Sequence, residues 1–135
     1  MAQEFDKFED IRLSVRSLCG NFPGEYWRDL DRKKSYPTQF VKTMTESGFL
    51  GVLIPEKYGG SGMGISAAAA ILEEIHKCGC NAAACHAQMY IMGTILRHGS
   101  NIQKSEYLPK IASGELRLQA FGVTEPTSGT DATRI

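Results

Sequence analysis

The chain has 135 residues, of which 42% are hydrophobic, which suits one domain with its own core. Fifteen basic and fifteen acidic residues cancel, and no basic block is interleaved with aromatic residues, so the composition argues against nucleic-acid binding. No apolar run approaches a bilayer span, and the N-terminus lacks the basic-then-apolar order of a secretory signal. We therefore expect a soluble, intracellular protein with no membrane span.

The first helix is predicted from apolar residues that recur at steps of three and four. They form one stripe of Phe5, Phe8, Ile11, Val15 and Leu18. Gly20 and Pro23 end this helix. The next stretch, with Tyr26, Trp27 and Leu30 among charged residues, is either a short helix or an irregular turn.

A third helix is predicted to start at Pro37, to carry Phe40, Val41 and Met44 at helical spacing, and to stop at Gly48. An apolar segment then leads into the glycine-rich residues 58–64. This loop has neither the GK[ST] ending of a P-loop nor a GxGxxG motif after a long strand. A flexible connector that turns the chain sharply is therefore favoured over a phosphate-binding loop.

A fourth helix is predicted to be capped by Ser66. Its predicted core face consists of Ala68, Ile71, Leu72 and Ile75, with Glu73, Glu74 and Lys77 on the solvated face. The adjacent glutamates diverge by about 100° around the helix, which disfavours a shared acid–base role. Gly79 ends the helix, and Asn81 can cap the next one.

Five possible metal ligands lie within eleven residues: His76, Cys78, Cys80, Cys85 and His86. The C-x-C spacing is uncommon for zinc, and no second cluster completes a site, so we predict no metal. Small buried side chains at a tight turn between helices are the favoured interpretation. The four cysteines, which include Cys19, are expected to be reduced.

The fifth helix, residues 82–98, has one stripe of Cys85, Met89, Met92 and Leu96, and a neighbouring row of His86, Tyr90 and Arg97. The sulfur-rich stripe is either part of the core, which is favoured, or part of a pocket for an apolar ligand. No carboxylate or nucleophile is spaced to orient His86 as an acid or base. Ser100 and Gln103 form a capping box for a sixth helix, which carries Tyr107, Leu108 and Ile111 before Gly114.

The closing stretch differs from these helices. Leu118, Ala120 and Gly122 alternate with Gln119, Phe121 and Val123, which predicts a short strand that Pro126 ends. Residues 124–131 carry several hydroxyls, Gly129 and Asp131, so they form either an ordinary turn or a loop that contacts a polar ligand. A lone strand leaves its hydrogen-bonding edges bare, so the sequence looks cut off as it enters a β domain.

The string FGVTEPTSGTD resembles the signature of the acyl-CoA dehydrogenase family of flavoproteins. LIPEKYGGSGMG, ILEEI, HGS and QKSEYLPKIASGE resemble that family's N-terminal helical domain in the same order. The resemblance implies a mainly α fold, with an N-terminal α-helical bundle domain over residues 1–116. Residues 117–135 would be the first strand and the flavin and substrate loop of a β domain that is absent from this chain.

The resemblance implies FAD as cofactor and an acyl-CoA thioester as substrate, which loses a proton from its α-carbon and a hydride from its β-carbon. It also implies electron-transfer flavoprotein as electron acceptor and a homotetramer at full length, in the cytoplasm or, for a processed eukaryotic chain, in the mitochondrial matrix. Family members continue beyond the position of Ile135, and their catalytic glutamate lies downstream of it.

Five flavin-contacting residues follow from the resemblance: Phe121, Val123, Thr124, Gly129 and Thr130. Thr130 would also contact the thioester side of the substrate, while Glu125 and Asp131 would be positioning groups rather than the base. Thr130 replaces the commoner serine and keeps its hydroxyl, whereas Arg134 stands where a small residue is usual. Acyl-CoA oxidases and flavin monooxygenases share this scaffold, and a non-catalytic helical binding module is a third alternative.

Overall fold

The computed structural model describes residues 7–135, which form six α-helices. These are α1 (Glu9–Cys19), α2 (Gly24–Lys33), α3 (Thr38–Glu46), α4 (Ile65–Lys77), α5 (Ala83–His98) and α6 (Asn101–Ser113). Single 3-10 turns occur at Phe49–Gly51, Glu56–Tyr58 and Ala132–Arg134. The prediction of a mainly α fold is confirmed. Phe5, assigned to the first apolar stripe, lies outside the described residues.

The strand expected over residues 118–123 is not formed. Within residues 7–135, the only β pairing is an isolated antiparallel bridge between Glu125 and Ser128. A strand needs a neighbour to accept and donate its backbone hydrogen bonds, and no other described segment lies beside this one as a strand. The segment instead contacts the helices through its side chains.

The core lies where α3, α4, α5 and α6 meet. Its largest side chains with less than 2% exposure include Phe40, Met44, Ile71, Ile75, Met92, Leu108 and Ile111. In α5, Cys85, Met89 and Met92 are buried and Leu96 is half-buried, so the core interpretation of this stripe is confirmed. The helix α2 has no fully buried residue and is attached through an aromatic cluster of Phe22, Tyr26, Trp27 and Phe40.

Most predicted helix ends are found within one residue. Ser100 and Gln103 form the reciprocal capping box, and the Asn81 side chain accepts a 2.8 Å hydrogen bond from the amide of Ala83. Ser66 was the wrong cap for α4, because the helix begins at Ile65 after Gly64, which places Ser66 inside the first turn. A serine within the first turn cannot take the cap position, which needs a non-helical backbone.

The assignment of Glu74 to the solvated face was also wrong, because α1 packs along α4 and covers that side. Glu74 is 1% exposed and accepts a 2.7 Å hydrogen bond from Arg16 Nε. Arg12 Nη1 lies 2.7 Å from the exposed Glu73 and 3.8 Å from the second oxygen of Glu74. These basic residues of α1 provide the charge that allows a carboxylate to be buried.

The glycine-rich loop makes the sharp turn that the sequence predicts. Its amides hydrogen-bond within the loop: Gly62 donates to the Ile54 carbonyl and Met63 to the Val52 carbonyl, both at 2.8 Å. Gly60 packs so closely on Ile54 that a Cβ would clash with its carbonyl oxygen. Because these amides are already bonded, they are not available to cradle a phosphate. None of the described helices is long and apolar enough to cross a membrane.

Candidate functional site

The closing segment, residues 117–135, leaves the helical domain at the end of α6. Gly114 adopts φ +81°, a left-handed conformation that favours glycine, and the amide of Leu116 donates to the Lys110 carbonyl at 3.0 Å. The chain thereby reverses direction at the helix end. This reversal brings Arg117 back over α3 and α5.

Three alternate residues of the segment contact α5. Arg117 Nη1 donates to Gln88 Oε1 at 3.3 Å, and Gln119 Nε2 donates to the Ala84 carbonyl at 3.1 Å. The Phe121 ring packs edge-to-face on Tyr90 with centroids 5.3 Å apart. The two-residue period predicted from the sequence is therefore present as a row of side-chain contacts to a helix.

Two of these residues also reach other parts of the helical domain. Arg117 Nη2 donates to the hydroxyl of Thr45 in α3 at 3.1 Å. Tyr36, in the loop before α3, donates its phenol proton to Gln119 Oε1 at 2.9 Å. The start of the segment is thus fixed at two polar points before the chain reaches Phe121.

After Phe121 the chain forms a tight turn. The amide of Glu125 donates to the Ser128 carbonyl at 2.8 Å, and the amide of Ser128 donates back at 3.2 Å. The Ser128 hydroxyl is buried and donates to the Asp131 carbonyl at 2.7 Å. Asp131 Oδ1 accepts from both the amide and the hydroxyl of Thr133. Glu125 and Asp131 therefore build the turn.

The five predicted flavin-contacting residues lie on the exposed side of this segment. Phe121 is 62% exposed and Val123 is 38% exposed, so both side chains offer apolar surface that a ligand could contact. Thr124, Gly129 and Thr130 are exposed, and a Cβ at Gly129 would lie 3.9 Å from Thr124 Cγ2, so these two residues adjoin. The two threonine hydroxyls make no hydrogen bond to any of residues 7–135, which leaves them able to bind a ligand.

Sequence reasoning missed the residues that hold this segment in place: Tyr36, Thr45, Gln88, Tyr90, Arg117 and Gln119. A signal was present at Arg117 and Gln119, which are long polar residues on the same alternating face as Phe121. Their partners come from three other elements, which no local pattern links to the segment.

The possible metal ligands do not gather. Cys80 and Cys85 are buried, Cys78 is half-buried, and His76 and His86 are exposed. No group of three or more ligating side chains among residues 7–135 is placed to hold an ion. His86 packs its ring on Tyr90 at 5.3 Å, and burial raises the pKa of the Cys85 thiol to about 12. The buried cysteines therefore act as core residues.

A groove in the helical domain lies beside Gln119 rather than at the turn. Its walls include Trp27 and Leu30 of α2, Tyr36, and Ala84 and Ala87 of α5. It is bordered by the turn between α4 and α5. The exposed threonines 124 and 130 lie outside it.

A family model described as "Acyl-CoA dehydrogenase, N-terminal domain" matches residues 6–115. The chain belongs to the acyl-CoA dehydrogenase family. Among its relatives, acyl-CoA dehydrogenase FadE12 of Mycobacterium tuberculosis is 34% identical over 98% of this chain and 34% of the relative. Glutaryl-CoA dehydrogenase of Desulfococcus multivorans is 42% identical over 90% of this chain and 32% of the relative. This family member thus spans about a third of the curated relatives that it matches.

Solved acyl-CoA dehydrogenase structures have the same fold. The structure of a glutaryl-coenzyme A dehydrogenase in complex with glutaryl-CoA superposes with a TM-score of 0.79 and 33% identity, over 100% of this chain and 35% of that one. An acyl-CoA dehydrogenase complexed with FAD, from Bacillus anthracis, gives a TM-score of 0.66 and 28% identity over 98% of this chain and 23% of that one. The closing segment is thus included in both structural alignments.

Proposed function

We propose that this chain is the N-terminal part of an FAD-dependent acyl-CoA dehydrogenase, which forms a double bond between the α- and β-carbons of an acyl-CoA thioester. Family membership supports the reaction class. The observation that carries the proposal is the closing segment, which presents Phe121, Val123 and two threonine hydroxyls on the surface of the helical domain. Residues 1–116 are the helical domain in this proposal, and residues 117–135 begin the next one.

The chemistry of these side chains fits a flavin. An exposed aromatic ring and a valine offer an apolar surface to a flat heterocycle, and the neighbouring hydroxyl of Thr124 can hydrogen-bond its polar edge. Gly129 has no side chain to separate the turn from a ligand, and Thr130 follows it directly. In this assignment FAD supplies, when bound, the acceptor for the hydride that leaves the β-carbon.

The chain's own residues bind and orient the reacting groups. The Thr130 hydroxyl donates towards the thioester side of the substrate, where negative charge develops as the α-proton leaves. Glu125 and Asp131 are positioning groups, since Asp131 already accepts two hydrogen bonds from Thr133. The base that removes the α-proton is assigned to a carboxylate downstream of Ile135.

The other partners follow from the same assignment. Electron-transfer flavoprotein accepts the electrons, and the full-length enzyme is a homotetramer in the cytoplasm, or in the mitochondrial matrix of a eukaryote. We expect residues 1–135 alone to bind FAD weakly, because most contacts to the FAD adenosine are assigned to residues outside them. We also expect no turnover, because the base is assigned downstream as well. Reduction of an electron acceptor by acyl-CoA with this segment alone would contradict that expectation.

The deciding experiment uses the product of the complete gene. The purified protein is expected to contain bound FAD, and its absorbance near 450 nm should bleach when an acyl-CoA is added without oxygen, because flavin absorbance is lost on reduction. Free coenzyme A is the control and should leave the absorbance unchanged. A bound flavin that acyl-CoA does not bleach would favour a monooxygenase. Peroxide formation in air would favour an oxidase, and a gene product without flavin would favour a helical binding module.

A further inference from the structure

Arg117 is the residue at which the closing segment is tied to two helices at once. Its guanidinium donates from Nη2 to Thr45 Oγ1 of α3 at 3.1 Å and from Nη1 to Gln88 Oε1 of α5 at 3.3 Å. Thr45 is 7% exposed and Gln88 is 0% exposed, so the guanidinium reaches into the helical bundle. The polar and ring contacts of Gln119 and Phe121 reach α5 and Tyr36, and Leu118 packs against the apolar core.

Both partners are oriented as acceptors. The Thr45 hydroxyl donates its proton to the Val41 carbonyl at 2.7 Å, so only its lone pairs can serve Arg117. Gln88 accepts through Oε1, while its Nε2 has no acceptor among residues 7–135. A half-satisfied buried amide adds little to the stability of the bundle, and its one hydrogen bond is to the closing segment.

The space for this guanidinium depends on Gly114. A Cβ there would lie 2.8 Å from Thr45 Cγ2 and 3.2 Å from Arg117 Nη2. The left-handed turn at the end of α6 therefore both reverses the chain and leaves room for Arg117 to fold back. The turn and the arginine act together to set where the segment starts.

The starting point decides which residues meet α5. Gln119 and Phe121 follow Arg117 at steps of two, and each contacts α5. A different starting point would move Gln119 and Phe121 away from Ala84 and Tyr90, which they now contact. It would also displace Thr124 and Thr130 from the edge that they form.

We propose that Arg117 is a positioning residue: bound by Thr45 and Gln88, it sets where residues 118–131 begin on the helical bundle and so places the flavin-contacting side chains. This inference rests on the proposed function and names a residue outside the expected flavin contacts. Arg117 itself touches neither cofactor nor substrate in this role. Its effect is therefore transmitted through the segment rather than through the chemistry.

The test compares Arg117→Met, Arg117→Lys and Thr45→Val in the product of the complete gene. Arg28→Met is the control, since Arg28 is exposed and, among residues 7–135, its ion pair is with Glu25 of its own helix. Loss of charge-assisted hydrogen bonds should raise the dissociation constant of FAD about tenfold in Arg117→Met, with a smaller rise in Arg117→Lys. Thr45→Val should weaken FAD binding in the same way, whereas Thr45→Ser, which keeps the hydroxyl, should bind FAD as the wild type does. Arg28→Met should have no effect on FAD binding.

Hydrogen exchange separates positioning from general stability. Amides of residues 118–131 should exchange faster in Arg117→Met, while those of α4 and α6 keep their protection. Unchanged exchange of residues 118–131 would overturn the proposal. So would weaker flavin binding that occurs only when α4 and α6 also lose their protection. If Arg117→Met fails to fold, the same two measurements on Thr45→Val and Thr45→Ser decide whether the proposal holds. A wild-type protein that binds no flavin would overturn the proposed function, and segment exchange would then decide the role of Arg117 alone.

Discussion

Arg16 of α1 donates a 2.7 Å hydrogen bond to Glu74 of α4, whose side chain is sealed from solvent by the same packing. The partners are unequal, because the Arg16 side chain is 54% exposed and that of Glu74 only 2%. The carboxylate holds the pKa of Arg16 above its ordinary value, mainly through this hydrogen bond. The first helix is therefore bound to the domain by a buried acceptor as well as by apolar contacts.

Replacing Glu74 by alanine should destabilise the domain by about 3 kcal/mol, because it removes a buried partner of two arginines and leaves a cavity. The matched control is Glu73→Ala, one residue earlier in the same helix, whose side chain is 51% exposed. Its change in unfolding free energy should stay within about 1 kcal/mol. Urea unfolding followed by circular dichroism gives both values. Equal losses would show that the buried position of Glu74 adds nothing to the stability provided by its contacts.

Gly60 should not tolerate a side chain. An added Cβ would lie 2.5 Å from the Gly51 carbonyl oxygen and would clash with Ile54, so Gly60→Ala must open the packed loop. We expect a loss of about 2 kcal/mol or more in the free energy of unfolding. Gly93 is the control because a Cβ there meets nothing within 4 Å, and alanine in a helix should stabilise by about 0.5–1 kcal/mol. Thermal melts of the two variants should therefore move in opposite directions.

Local patterns predict five of the six helices because those helices carry their own apolar stripes and end signals, whereas the stretch that forms α2 fits either a short helix or a turn. The capping box at Ser100 and the stripe of Cys85, Met89 and Met92 depend on residues within one or two turns of each other. Glu74 could not be placed in this way. Its polarity indicates solvent, and only the packing of α1, 58 residues away in sequence, buries it.

In the candidate site, too, local sequence patterns predict some residues and miss those whose partners are distant in sequence. The resemblance of residues 121–131 to a known signature predicts which side chains contact a ligand, and the structure leaves Phe121 and Thr130 exposed. The resemblance does not indicate which residues hold these side chains in place. The support comes from Thr45 and Gln88, which are 72 and 29 residues from Arg117 in sequence, and such distant pairs leave no periodic trace.

Because Cys85 is buried, we expect the free energy of unfolding to fall in alkaline solution. Burial raises its pKa to about 12 in the folded protein, against an ordinary value near 8.5 in an unfolded chain. A group whose pKa is raised on folding contributes stability that is complete below the unfolded value and is lost as pH rises towards the folded one. The free energy of unfolding should therefore fall between about pH 8.5 and pH 12.

Denaturant titrations across this pH range test the assignment. Cys85→Ala should have a shallower decline, because its ionisable group is gone. Met89→Ala is the matched control: it truncates a buried residue of the same stripe and should lower stability at every pH while keeping the wild-type slope. An unchanged slope in Cys85→Ala would assign the alkaline loss to other groups.

Thr130 gives the most direct test of the site, because valine and serine separate its hydroxyl from its shape. The side chain is exposed and makes no hydrogen bond within residues 7–135, so neither substitution should change the unfolding free energy by more than about 0.5 kcal/mol. If the hydroxyl contacts the thioester side of the substrate, Thr130→Val should lower kcat/KM for an acyl-CoA by about tenfold in the full-length enzyme. Thr130→Ser, which keeps the hydroxyl, should stay within about twofold of the wild type. Equal losses in both variants would mean that the methyl group rather than the hydroxyl carries the effect, and no loss in either would remove Thr130 from the substrate contacts.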